Sequence, residues 1–258
     1  MFERLLKPYL TVETGEAYQP IRLTYNLYQH DLLVKTLNQL KCCEKTSTAN
    51  TWHWLWRDEC HDISFESLDS FKRKPDHPVR LGTLSLRDEK FYINLTSFKR
   101  ACLAVPFFNA AIHHDHAEVD HADFINKVFG LDERLPHGFT ELFKEEELTQ
   151  LIEHRVSDYH QVEHQCEMAN SAEEALSILS DYTQKESAKR LPYAERYAFQ
   201  PDKSTDPDVM FLGFYIFLRS RELVAIRRWF GNTGYSLSDA TDETIERVFG
   251  EMDIDILE

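Results

Sequence analysis

The densest set of chemically capable side chains is the run His113-His114-Asp-His116-Ala-Glu118-Val-Asp-His121. Imidazole and carboxylate are ligands of Zn²⁺ and Fe²⁺, and a half-site needs them on one side of one element. Read as a helix, with each residue advancing about 100°, the run places His114, Glu118 and His121 on the side that carries Ala117, Phe124, Ile125 and Val128. Two imidazoles and a carboxylate then converge on an apolar wall, which is half of a metal centre. Glu118-x-x-His121 also has the spacing used in carboxylate-bridged di-iron bundles, which need a second such helix. The alternative is a polar loop or helix start carrying solvated histidines. The natural second helix is 145–169, with His154, His160 and His164. These fall away from its apolar seam of Leu148, Leu151, Ile152, Val156, Tyr159, Val162 and Cys166, so they should face water, which counts against a buried two-helix site.

Cysteines stand at 42, 43, 60, 102 and 166, with no C-x-x-C pair. With no apolar leader at the N-terminus they read as reduced thiols of a cytosol. On a strand Cys60 and His61 would point to opposite faces, so they are not expected to form a nucleophile–base pair; each cysteine reads as a small buried hydrophobe. Trp52, Trp54 and Trp56 alternate along one face of a strand, and core is the expectation for them over an exposed recognition surface.

Charge is segregated. The chain of 258 residues has a net charge of −15, which disfavours non-specific binding of nucleic acid or anionic membrane over the whole surface. Residues 68–104 nevertheless hold eight Lys and Arg against four Asp and Glu, among Phe71, Phe91, Tyr92 and Phe98. Lys72, Arg73, Lys74, Lys99 and Arg100 of this basic-aromatic island are candidates for contact with phosphate or an acidic partner. Alternatively the island offsets acidic helices of the same fold, since residues 113–181 hold 17 Asp and Glu against four Lys and Arg. No G-x-x-x-x-G-K-[ST], G-x-G-x-x-G, G-x-S-x-G or H-E-x-x-H occurs, so P-loop, Rossmann, ordinary α/β-hydrolase and zincin chemistry are not expected.

The elements that must position these residues follow from periodicity. With 42% apolar residues and 12% aromatics the chain can bury a core. Alternation predicts a strand over 21–27, a strand over 51–56 with 62–65 as its hairpin partner, and a hairpin of 79–86 with 91–95 around Arg87-Asp-Glu-Lys90. Helical stripes predict 31–40 and a helix capped by Thr96 or Ser97 that bends or breaks at Pro106. From 111 to 197 the signals are helical, and Ser171-Ala-Glu-Glu174 is a capping box. Residues 199–208 read as a linker. Residues 209–218 and 223–230 are apolar at both parities, which suits buried central strands, with a buried helix as the alternative. A short helix over 238–249 closes the chain, with Gly250 just past its end.

The expected fold is therefore α+β, a mixed or antiparallel sheet drawn from N- and C-terminal segments around a helical middle. Residues 1–110 supply the sheet part, 111–200 the helical part, and 201–258 the strands and helix that complete the sheet, in one domain. No run approaches the roughly 20 apolar residues of a membrane span. The expected function is that of a non-enzymatic cytoplasmic interaction or regulatory protein, presenting an acidic helical face and the basic-aromatic hairpin to a protein partner or to a second copy. A metal-dependent enzyme using His114, Glu118 and His121, and a nucleic-acid-associated subunit, are the alternatives. No organic cofactor is expected; Zn or Fe is the metal that the histidine cluster would take.

Overall fold

Period-two alternation of apolar and polar residues builds a single sheet, and helices interleaved with its strands and following them pack on one face. The computed structural model describes residues 8–65, 78–135, 139–143, 161–162, 164–169, 171–188, 190–199 and 206–254. The strands are β1 (Ile21–Leu27), β2 (Cys43–Lys45), β3 (Thr51–Leu55), β4 (Arg80–Arg87), β5 (Lys90–Leu95), β6 (Ala117–Ile125) and β7 (Ala194–Ala198). They form one seven-stranded sheet in the order β2-β3-β4-β5-β1-β6-β7, with every neighbouring pair antiparallel. The helices are α1 (His30–Gln39), α2 (Phe98–Ala111), α3 (Phe139–Leu142), α4 (Ala172–Ala188), α5 (Pro207–Trp229) and α6 (Leu237–Ile254). The fold is α+β.

Residues opposite one another on antiparallel strands share a face. The apolar members Ile21, Leu23 and Tyr25 of β1, Phe91, Ile93 and Leu95 of β5, and Trp52 and Trp54 of β3 pack in one core with Leu33 and Leu37 of α1, Ala101, Ala104 and Phe108 of α2, and Phe214 and Leu218 of α5. Trp54 stacks on Phe107, centroids 5.6 Å apart, and meets Phe108 edge-on at 5.2 Å. Gly82 of β4 is required by this packing, because a Cβ there would lie 2.6 Å from Leu95 Cδ2. The β4–β5 hairpin closes through Asp88 and Glu89, whose positive φ of 50° and 57° is the backbone of a two-residue turn matched to strand twist. Ser97 caps α2, its Oγ accepting the Arg100 N–H at 3.2 Å, and the helix runs through Pro106 to Ala111.

Several sequence expectations are corrected. Residues 117–125 are not helical. They form β6, whose backbone groups are taken by β1 on one side and β7 on the other; pairing with distant chain outweighs the local helical pattern. Residues 194–198 are likewise a strand, within the stretch expected to be helical. Residues 209–230 do not add strands to the sheet, because Pro207–Trp229 is one 23-residue helix. Asp206 caps it, accepting the Asp208 N–H at 3.0 Å, and α5 is apolar on several sides because it packs against both α2 and α6. Residues 62–65 do not pair with β3, whose neighbours are β2 and β4. Gly250 lies inside α6. Residues 145–160 and 163 of the helix read over 145–169, with His154 and His160, lie outside the described residues, as do Lys72, Arg73, Lys74 and 200–205 of the linker. Among the described residues no helix is long and apolar enough to cross a membrane.

Candidate functional site

The sheet face away from the main helices is polar, and a bulge organises it. Thr24 pairs with His121 and Tyr25 with Val119, so Asp120 is the extra residue on β6. A bulge resets the in–out alternation. Ala117 and Val119 before it, and Ala122 and Phe124 after it, all enter the core, which leaves Glu118, His121 and Asp123 on the polar face. His121 sits between two carboxylates, Nδ1 at 2.9 Å from Asp120 Oδ2 and Nε2 at 3.5 Å from Asp123 Oδ2. Asp123 is clasped by Arg196 of β7 and is almost fully buried. Burial pulls its carboxyl up, but hydrogen bonds from His121 and Arg196 outweigh that and hold it below its ordinary value. Lys90 Nζ donates to Asn26 Oδ1 at 2.5 Å and lies 3.7 Å from Asp120 Oδ2. The Tyr28 hydroxyl donates to Glu118 Oε2 at 3.2 Å.

The three metal ligands expected from sequence are thus not one group. Glu118 and His121 share the polar face, each already engaged, while His114 lies in the turn before β6 and is largely exposed. That turn makes a different set: ligand atoms of His113, His114 and Asp115 all lie within 4.8 Å of one another. The His113 and His114 rings stack with centroids 4.4 Å apart, and His114 Nε2 is 3.2 Å from Asp115 Oδ1.

Of the five basic-island candidates, Lys99 and Arg100 are among the described residues. Arg100 points inward, its guanidinium donating to Thr14 Oγ1, Thr96 Oγ1 and the carbonyls of Arg80 and Leu81 at 2.8–3.2 Å. It is corrected from a candidate phosphate contact to a buried structural group. Lys99 borders a cavity of about 40 Å³ with Glu16, Cys102, Arg219, Glu222 and Arg247, which has room for a few waters. Arg87 stacks over the Tyr92 ring at 4.6 Å.

The C-terminal helices carry a surface that the sequence reading reached only as a general acidic character. Ser171 opens α4 as expected, its Oγ accepting the Glu174 N–H at 3.1 Å. α4 packs against α6. α6 buries Ala240 and Thr244, while Ile245 and Phe249, one turn apart, remain exposed at 37% and 48%. On α4, Leu176 and Leu179 are exposed at 66% and 43%. The same two helices carry Glu173, Glu174, Asp181, Asp242 and Glu246, all exposed. The sequence reading also missed that Cys42, Cys43 and Cys60 gather in one buried cluster, with Glu59, beside Cys60, accepting the Cys42 N–H at 2.9 Å. Their separation along the chain hid this, and only the β2–β3 pairing brings it out. Comparison of the chain with protein-family models, with curated proteins and with solved structures finds no match.

Proposed function

We propose that the protein is a non-enzymatic interaction module that holds a basic, amphipathic segment of a protein partner on the acidic face of α4 and α6. The observation that carries this reading is the exposure of Leu176, Leu179, Ile245 and Phe249 on two contacting helices amid acidic side chains. Apolar pairs at helical spacing offer area that gains free energy on burial, and the acidic surround selects and steers Lys- and Arg-bearing partners. The test is fluorescence anisotropy with a labelled amphipathic peptide, Leu and Phe on one face and Lys and Arg on the other, against a charge-reversed control. The basic peptide binds, the acidic one does not, and affinity falls as salt rises, because the steering charges are exposed and screened. Leu176→Asp combined with Phe249→Asp abolishes binding. Binding that ignores both salt and this double substitution overturns the reading.

A second reading, from a different class, is supported by the convergence of His113, His114 and Asp115: this turn binds a divalent cation such as Zn²⁺.

A further inference from the structure

Three of the five cysteines are gathered where the loop before β2 meets a single turn of 3₁₀ helix, Asp58–Cys60. Cys42, Cys43 and Cys60 are all buried. All three belong to one core cluster, and the Trp54 indole N–H donates to Cys60 Sγ at 2.8 Å. The turn is already clasped to the loop before β2, because the Glu59 carboxylate accepts the N–H groups of Lys41 and Cys42 at 3.1 and 2.9 Å. The turn stands at the surface: Asp58, Glu59, His61 and Asp62, on either side of Cys60, are exposed.

We propose that Cys42 and Cys60 are a redox-sensitive pair, which peroxide converts from buried neighbouring thiols into a disulfide tying this turn to the start of β2. The pairing follows from geometry. Adjacent Cα atoms lie about 3.8 Å apart, below the roughly 4.4–6.8 Å that disulfides span, so Cys42 and Cys43 are poorly placed to bridge each other. Cys60 comes from a separate segment, and Glu59 beside it holds that segment against Cys42 by accepting the Cys42 N–H at 2.9 Å. Hydrogen bonds from Cys43 and Cys60 lower the Cys42 thiol toward its thiolate, the nucleophilic form, while the same contact and burial raise Cys43 and Cys60. The Cys42 thiolate attacks one peroxide oxygen, forming a sulfenic acid and expelling hydroxide. The Cys60 sulfur then attacks the Cys42 sulfur, its proton leaving with the hydroxyl as water. Two thiols and one hydrogen peroxide become one disulfide and two waters, the two electrons passing to the peroxide.

The test treats the full chain with hydrogen peroxide and maps peptides without reduction. The expected product has lost two hydrogens and joins the peptide holding Cys42 to the one holding Cys60. Trp54 fluorescence changes in step, since its indole sits on one of the reacting sulfurs, and dithiothreitol reverses both signals. The Cys43→Ser variant still forms the bridge; Cys42→Ser and Cys60→Ser do not. Peptide mapping of the unsubstituted chain decides the matter even where a variant folds poorly. A bridge mapping to Cys43, Cys102 or Cys166, or thiols at 42 and 60 that stay unmodified while the tryptophan signal is unchanged, overturns the proposal.

Discussion

Asp123 of β6 and Arg196 of β7 grip each other at two points, Nε to Oδ1 at 2.5 Å and Nη2 to Oδ2 at 3.0 Å, on the polar face of the sheet. The pair fixes the register of β7, the strand at one edge of the sheet, by joining the directly opposed residues of the ladder. Because the carboxylate is almost fully buried, its charge is stable only while Arg196 and His121 face it.

The first prediction is a pH dependence. The folded carboxyl of Asp123 is held below its ordinary value of 3.8. A depressed carboxyl contributes stability that is complete above the unfolded value and is lost as pH falls through the folded one. Asp123→Asn therefore lowers unfolding free energy by about 2 kcal/mol at neutral pH, and the gap to the unsubstituted chain narrows as pH drops below about 4. Urea titrations at several pH values measure it. A gap that is constant down to pH 2 shows that the charge of Asp123 is not what Arg196 stabilises.

Much of the scaffold was legible in local sequence, and the failures share a cause. β1, the β4–β5 hairpin, and the caps at Ser97 and Ser171 are specified by alternation, turn residues and capping side chains within a few positions of one another. β6 is specified by β1, nearly a hundred residues earlier, and its ligand-like spacing belongs to a bulged strand rather than a helix turn. α5 was ambiguous because apolar residues on every side describe a buried strand and a buried helix equally. Its start at Asp206-Pro207 and its 23-residue length are what a helix needs, and its buried polar residues are paired: Arg221 donates to Glu195 at 2.8 Å and Arg219 to Glu222 at 2.5 Å. Arg100 was misplaced by charge counting, which has no access to the inward direction of a residue one turn inside a helix.

That inward direction gives the second prediction. Burial depresses Arg100, with Glu16 and Glu13 opposing that shift, and its five donated hydrogen bonds tie α2 to Thr14, Thr96 and the start of β4. Replacing it by Met keeps the stem but strands buried acceptors, so Arg100→Met costs about 2–4 kcal/mol in chemical unfolding. Binding to a single-stranded oligonucleotide at low salt is unaffected by the change. Unaltered stability together with weakened oligonucleotide binding would return Arg100 to the basic surface.

The third prediction separates two metal sets. His121 has both ring nitrogens directed at carboxylates, Asp120 on one side and Asp123 on the other. To ligate a cation it must give up one of them, and Asp123 would then depend on Arg196 alone. His113 and His114 stand exposed at 57% and 77%, so their nitrogens can turn to a cation at little cost. Asp115 adds a carboxylate within 4.8 Å, completing three ligands from one turn; a site so open leaves its remaining positions to water. Isothermal titration with Zn²⁺ therefore finds a single site that His113→Ala and His114→Ala each remove. His121→Ala leaves that heat intact and instead lowers the melting temperature without added metal, because it removes the imidazole between Asp120 and Asp123 and leaves them to Lys90 and Arg196. A ligand that binds only the folded chain raises its melting temperature with concentration, so Zn²⁺ shifts the midpoint of the unsubstituted chain and of His121→Ala alike, and not that of His114→Ala. If His121→Ala abolishes the titration while His113→Ala preserves it, the set of His114, Glu118 and His121 holds the metal instead, and the polar sheet face must rearrange to bind it.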